Sequence, residues 1–169
     1  MRGASTPVGE WRYAAYSPAA AEYAHWRERS QYVGQLELLA AVAVYYSLAA
    51  ELRGREVIHF IDNAGAMACL VKGSSAELDS SLLVHTFWAL AAALDIDVWF
   101  EFVYSEANIA DWPSRGDIAF MRDLSPEFDP ESDLVRVEVP SVTSWGDVDP
   151  LVASVPSAAP PPRKKRRRR

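Results

Sequence analysis

Residues 56–72 read EVIHFIDNAGAMACLVK, and the rest of the chain is organised around them. Val57, Ile58, Phe60 and Ile61 form a short apolar, β-branched run of the kind that makes a buried strand. It stops at Asp62-Asn63. Ala64, Ala66, Met67, Ala68, Leu70 and Val71 then suit a helix. An acid therefore falls where an interior strand meets a helix, which is where open α/β sheets place their ligand sites. An ionised carboxylate there needs a partner, backbone donors or a metal. The plain alternative is that Asp62 only caps the helix.

A chain of 169 residues, half of them hydrophobic, has room for one domain with a core, plus tails. The single cysteine, Cys69, excludes an internal disulfide framework and a multi-cysteine zinc site, and it fits a reducing compartment. No uncharged apolar run reaches the roughly 18 residues of a membrane span. The N-terminus lacks a signal-peptide core. The net charge of −6 divides into two opposite parts. Residues 163–169, RKKRRRR, hold seven of the 17 basic residues, leaving 10 basic against 23 acidic. So acidic a body repels nucleic-acid phosphates at long range, whereas the tail attracts them.

Outward from the central stretch, Leu36, Leu39, Ala40, Ala43, Ser47 and Ala50 share a helical face, and the neighbouring faces are also apolar, so a buried helix is expected. Glu37 stands near its start, read as a favourable N-terminal charge, a capping partner or a ligand. Gly73 is placed to cap the central helix. Ala76–Leu94 is a second long helix, with His85 on its boundary. Ile96–Val103 alternates as a half-buried strand, with Ile96, Val98, Phe100 and Phe102 inward. Asp111 follows in a Pro-containing turn. Near the N-terminus, Glu10–Tyr16 suits a strand, Ala19–Arg29 a short helix and Ser30–Gly34 an extended piece. His59 reads as packed. The expected division is a loose 1–9, a domain over 10–124, an acidic then Pro/Ser-rich and mostly disordered linker over 125–162, and a basic tail over 163–169. Within the linker, Leu134–Val139 can add a strand.

Alternating strands and helices imply an α/β sheet with helices packed on it. If Glu37, Asp62 and Asp111 converge, they need a cation to remain ionised together. Hard oxygen ligands select Mg²⁺ or Mn²⁺, and two such ions promote phosphodiester hydrolysis.

Three segments carry a resemblance. QLELLA over 35–40, FIDN over 60–63, and SEANIAD over 105–111 followed by Pro113-Ser114-Arg115, resemble the ribonuclease H domain that accompanies retrotransposon reverse transcriptases. The likeness covers roughly Glu10 to Gly116. It implies a ribonuclease H-like mixed sheet flanked by helices, and two-metal cleavage of RNA in RNA–DNA hybrids. Glu37, Asp62 and Asp111 would be metal ligands, with Asn63 and Asn108 as supporting groups. Lys72 and Arg115 would be phosphate contacts, against the competing reading of a solvated surface. A reverse transcriptase polymerase domain in the parent element is the implied partner, and no membrane is. The family's fourth carboxylate is an Asp on a first strand, and this chain has no Asp before Asp62. The expectation is thus a domain truncated at its N-terminus, with little or no hydrolysis on its own. A non-catalytic, nucleic-acid-associated remnant and another nuclease or integrase on the same fold are the rival classes. The setting is intracellular, and nuclear if the tail is a targeting signal.

Overall fold

Helices, with one small sheet beneath them, make up the computed structural model, which describes residues 14, 16–20, 23–116, 119–124, 128–134 and 136–155. The order is α1 (Val33–Ser47), α2 (Ala49–Leu52), β1 (Glu56–Ile61), α3 (Ala64–Lys72), α4 (Leu78–Ala93), β2 (Asp97–Phe102), α5 (Asp111–Ser114), α6 (Ala119–Leu124) and α7 (Val148–Ser154). Of the expected mixed sheet, the described residues form two parallel strands, paired from Glu56↔Asp97 to Ile61↔Phe102. Parallel strands require a crossover, and α3 and α4 provide it.

One face of this sheet is covered. Val57, His59 and Ile61 on β1, and Val98 and Phe100 on β2, point toward α1, α3 and α4. Phe87 of α4 is fully buried at the centre, its ring 4.6 Å from Tyr45 of α1, 6.3 Å from His59 and 5.7 Å from Phe100. The other face is open. Ile58, Phe60 and Trp99 are 62%, 60% and 65% exposed. The apolar run at Val57–Ile61 predicted a strand buried on both sides; it is buried on one.

The expected face of α1 is met in part, with Leu39 and Ala43 buried as expected. Leu38, Val42, Tyr45 and, beyond the helix, Ala49 are buried, while Ala40 and Val44 are exposed. A helix apolar nearly all round carries little information about which side will be buried.

Relative directions place the ends of these elements. Three residues separate α4 from β2, so α4 ends beside the start of β2. Its 16 residues span about 24 Å, close to the roughly 20 Å of a six-residue strand, so α4 begins near the strands' carboxyl ends. α1 runs alongside it in the same sense. Gln35 Nε2 donates to Ser80 Oγ at 2.9 Å where both helices begin. Past their far ends, the Gly54 N–H donates to the Leu94 carbonyl at 2.8 Å. The first turns of α1 therefore lie at the carboxyl end of the sheet.

Three segments depart from expectation. Ala19–Arg29 forms turns and bends rather than a helix among its described residues. They are held through Arg29 on Asp79, the Arg27 N–H on Asp79 at 3.0 Å, and a Tyr23–Trp26–Tyr32 ring cluster. Ser30–Gly34 is not extended throughout, since α1 begins at Val33. Within the stretch expected to be linker, Val142 and Val148 are buried with Leu82 of α4, and α7 packs on α4. A capping box closes this segment: the Ser144 N–H donates to Asp147 Oδ2 at 2.7 Å, and the Ser144 side chain bonds back. Of the Leu134–Val139 strand, only an isolated bridge at Leu134 is present among the described residues. The Glu10–Tyr16 strand and the basic tail lie mainly or wholly outside the described residues. Among those residues no helix is long and apolar enough to cross a membrane.

Candidate functional site at the carboxyl ends of the strands

The chain leaves β1 at Ile61 and enters α3 within two residues, and those two divide the work. Asn63 caps α3: its Oδ1 accepts the Ala66 N–H at 2.9 Å. Gly73, at φ 76°, closes the other end, its N–H donating to the Cys69 carbonyl at 2.9 Å. Asp62 is therefore not the cap. It stands half-buried just past the end of β1.

Both ordinary explanations of Glu37 fail as well. It is the fifth residue of α1, whose first turn contains no acid and whose N-cap, Tyr32, makes no side-chain cap bond. Glu37 is half-buried, and its carboxyl is held above the usual glutamate range. Burial is the largest cause, followed by the charges of Asp62 and then Asp111. The charges of Asp62 and Asp111 thus both reach Glu37.

Asp111 arrives from β2. The Val103 N–H donates to the Ile61 carbonyl at 3.0 Å, so the chain leaves β2 beside Asp62. A 3-10 turn over Ser105–Ala107 and a tight turn at Asn108 follow. Asn108 Oδ1 accepts the Ala110 N–H at 3.1 Å, and its carbonyl accepts the Asp111 N–H at 3.1 Å. Asn108 thereby shapes the loop that presents Asp111. Arg115 Nη2 donates to Asp111 Oδ2 at 2.8 Å across one turn of α5. Asp111 and Arg115 line a cleft of about 370 Å³ with Ser105, Glu106 and Trp112. Trp112 also stacks on Phe120, with ring centroids 4.3 Å apart. Ser105 and Glu106 were legible within the SEANIAD segment, but nothing in their spacing marked them as cleft-lining.

Lys72 falls outside the site. It ends α3, eight residues from Ala64 and so about 12 Å along the axis, and it is exposed. His59 is packed, stacked on Tyr45 at 5.7 Å. His85 is exposed with its edge to Trp145 at 5.3 Å. Neither approaches a nucleophile arrangement.

The donor set is three carboxylates, hard oxygen ligands suited to Mg²⁺ or Mn²⁺. A cation among them would remove the repulsion that raises Glu37. Among the described residues, however, no three His, Cys, Asp or Glu side chains stand close enough to hold one ion. The donor set suits a divalent metal in its chemistry, and the three acids stand wider apart than a single ion's ligands.

Comparison with protein-family models, curated proteins and solved structures finds no match to this chain.

Proposed function

We propose that the chain is a ribonuclease H-like domain of retroelement, reverse-transcriptase-associated origin, whose chemistry is metal-dependent hydrolysis of RNA in RNA–DNA hybrids. The observation that carries the reading is that three separate elements bring Glu37, Asp62 and Asp111 to the carboxyl end of a parallel sheet, near enough for the charges of Asp62 and Asp111 to act on Glu37. The three sequence segments that resemble such domains each contribute one of these acids.

In this reading Glu37, Asp62 and Asp111 would hold the metal, Mg²⁺ or Mn²⁺. When bound, the metal supplies an activated water and stabilises the leaving oxygen of the phosphodiester. The chain's own residues do the positioning. Asn63 fixes the start of α3, so that Asp62 leaves the strand in one direction. Asn108 fixes the loop bearing Asp111. Arg115 balances the charge of Asp111 and, 71% exposed, would be placed to meet a substrate phosphate. The acidic body leaves initial attraction of nucleic acid to residues 163–169, which we also read as a nuclear-targeting signal. A reporter fused to residues 160–169 that stays cytoplasmic refutes that targeting role.

The test is cleavage of a labelled RNA–DNA hybrid by the full chain with Mg²⁺ or Mn²⁺. Asp62→Asn should lower the rate by more than the ~10–100-fold typical of losing an outer-shell partner of a metal. Cleavage of double-stranded RNA or DNA in preference to hybrid points instead to another nuclease on the same fold. A second reading, a domain that associates with nucleic acid without cutting it, is favoured by the separation of the three acids. Hybrid binding that is salt-sensitive, cation-independent and unaccompanied by cleavage establishes it.

A further inference from the structure

The open face of the sheet is built as an interaction surface. Register sets Ile58 beside Trp99 and Phe60 beside Glu101 on that face. Side chains exposed at 60–65% on adjacent positions form one contiguous apolar patch, the kind of surface feature that marks interaction sites when large. A shallow hollow of about 470 Å³ lies beside Ile58, Asp97 and Trp99. Parallel strands are ordinarily covered on both faces, and among the described residues the helices occupy only one.

Charge and size define what fits. Asp97 and Glu101 lie on the same face as Trp99, one on each side of it along β2, and Trp99 Nε1 donates to Glu101 Oε1 at 2.7 Å. The patch is thus apolar at its centre and negative along β2. Two strands about 4.8 Å apart present a ribbon roughly as wide as one helix, about 10 Å. Six residues of strand run about 20 Å, the length of a helix of about 13 residues.

We infer that this face docks a single amphipathic helix of a partner protein, three to four turns long, with an apolar stripe against Ile58, Phe60 and Trp99 and lysine or arginine beside Asp97 and Glu101. Other occupants fit worse. Two copies of this chain would bring two negatively charged strand faces, each bearing Asp97 and Glu101, together. Residues 156–169 of the chain contain no large apolar side chain apart from proline. Nucleic-acid phosphates are repelled by the carboxylates. The inference is independent of the proposed nuclease activity.

The test uses the full chain and a labelled synthetic 14-residue helical peptide, with leucine at i, i+3, i+7 and i+11 and lysine at the flanking positions. A second peptide carries glutamate in place of lysine. The lysine peptide should bind, and its affinity should fall as salt rises. Trp99→Ser should weaken it about thirtyfold, the loss expected on removing a central aromatic anchor. The glutamate peptide should not bind. Circular dichroism and thermal melts of Trp99→Ser check that the fold is intact; Phe60→Ser, on the neighbouring strand, is the second variant and should also weaken binding. The inference is overturned if the lysine peptide fails to bind, if both variants bind it as tightly as the parent, or if the glutamate peptide binds equally well. It is also overturned if the chain self-associates in sedimentation through this face, increasingly with salt and not as Trp99→Ser. Displacement of the peptide by single-stranded RNA likewise refutes it.

Discussion

Replacing Phe87 by alanine tests whether the molecule is built on one face of its sheet. Phe87 is 0% exposed. Its ring stands 4.6 Å from Tyr45, 6.3 Å from His59, 5.4 Å from Trp88 and 5.7 Å from Phe100, so one side chain joins α1, β1, α4 and β2. Truncation removes the buried ring and leaves a cavity walled by large aromatics that cannot easily collapse. The expected loss is about 3–5 kcal/mol, a large fraction of the roughly 5–15 kcal/mol that holds a domain together. Melting should fall by roughly 10–20 °C for a domain of this size. Trp99→Ser is the control. Trp99 is as large, but it stands on the open face, and its loss should cost no more than the ~1 kcal/mol span of strand propensities. The assay is urea denaturation of the parent and both variants, with midpoint and slope fitted separately. If Phe87→Ala costs less than about 1.5 kcal/mol, or Trp99→Ser costs more than Phe87→Ala, the assignment of covered and open faces is wrong.

Asn63→Ala should cost about 1 kcal/mol through the lost α3 cap, read by the same denaturation. The size of the loss distinguishes a capping Asn63 from one that serves only a ligand. Glu37→Gln should be more stable than the parent at pH 7. Burial and the facing carboxylates raise the folded-state pKa of Glu37, so the native chain holds a proton that the unfolded chain releases, and stability falls as pH climbs through the glutamate range and above. The difference between Glu37→Gln and the parent should close below about pH 4.5; a gap that persists there contradicts the cause given. His59 acts with the opposite sign. Burial lowers its pKa from 6.5 to about 4, so the unfolded chain takes up a proton that the folded chain refuses, and stability is lost as pH falls from about 6.5 toward 4. His59→Phe, which keeps the stack on Tyr45, should flatten that decline in melts run across the same pH range.

Legibility in the sequence followed the strength of local signals. The passage from β1 to α3 was readable because a β-branched run, a polar pair and a run of helix formers succeed one another over 56–72, each agreeing with its neighbours. On β2, Val98 and Phe100 were readable from strict alternation, whereas Phe102, expected inward, is 41% exposed at the strand's open end; Gly73 was readable from its place after the last helical residue. The face of α1 was not, because Leu36 to Ala50 is apolar in nearly every direction. The side of the sheet left open was not either, because Val57, Ile58, Phe60 and Ile61 are alike in hydropathy and only the helices decide which are covered. The turns around Trp26 and the α7 segment depend on contacts with residues far away in sequence, Asp79 in one case and Leu82 in the other. In the site, Asn63 and Asp62 are equally good caps by type. Only the hydrogen bond to Ala66 separates them. Glu37, Asp62 and Asp111 are 25 and 49 residues apart, so their placement at one end of the sheet depends on the parallel run of α1 and α4 and on the crossover between the strands.

The energetic position of Glu37 is the strongest argument that the carboxyl end of the sheet has a task. Burial disfavours its charge, and two further carboxylates disfavour it again. It caps nothing and stands beyond the first turn, where a helix dipole would favour it. Arg115, the nearby base with a defined bond, is taken up by Asp111. A glutamine at position 37 would relieve each cost while preserving the length of the side chain, so folding alone favours replacement. Groups held against their own stability concentrate where binding or chemistry requires them. A cation bound among the three acids would convert each repulsion into an attraction. It follows that a divalent metal should raise the melting temperature of the parent chain, and should do so much less for Glu37→Gln, whose metal-free form is already relieved. Equal stabilisation of both proteins, or of neither, would mean that Glu37 is held in place for something other than a metal.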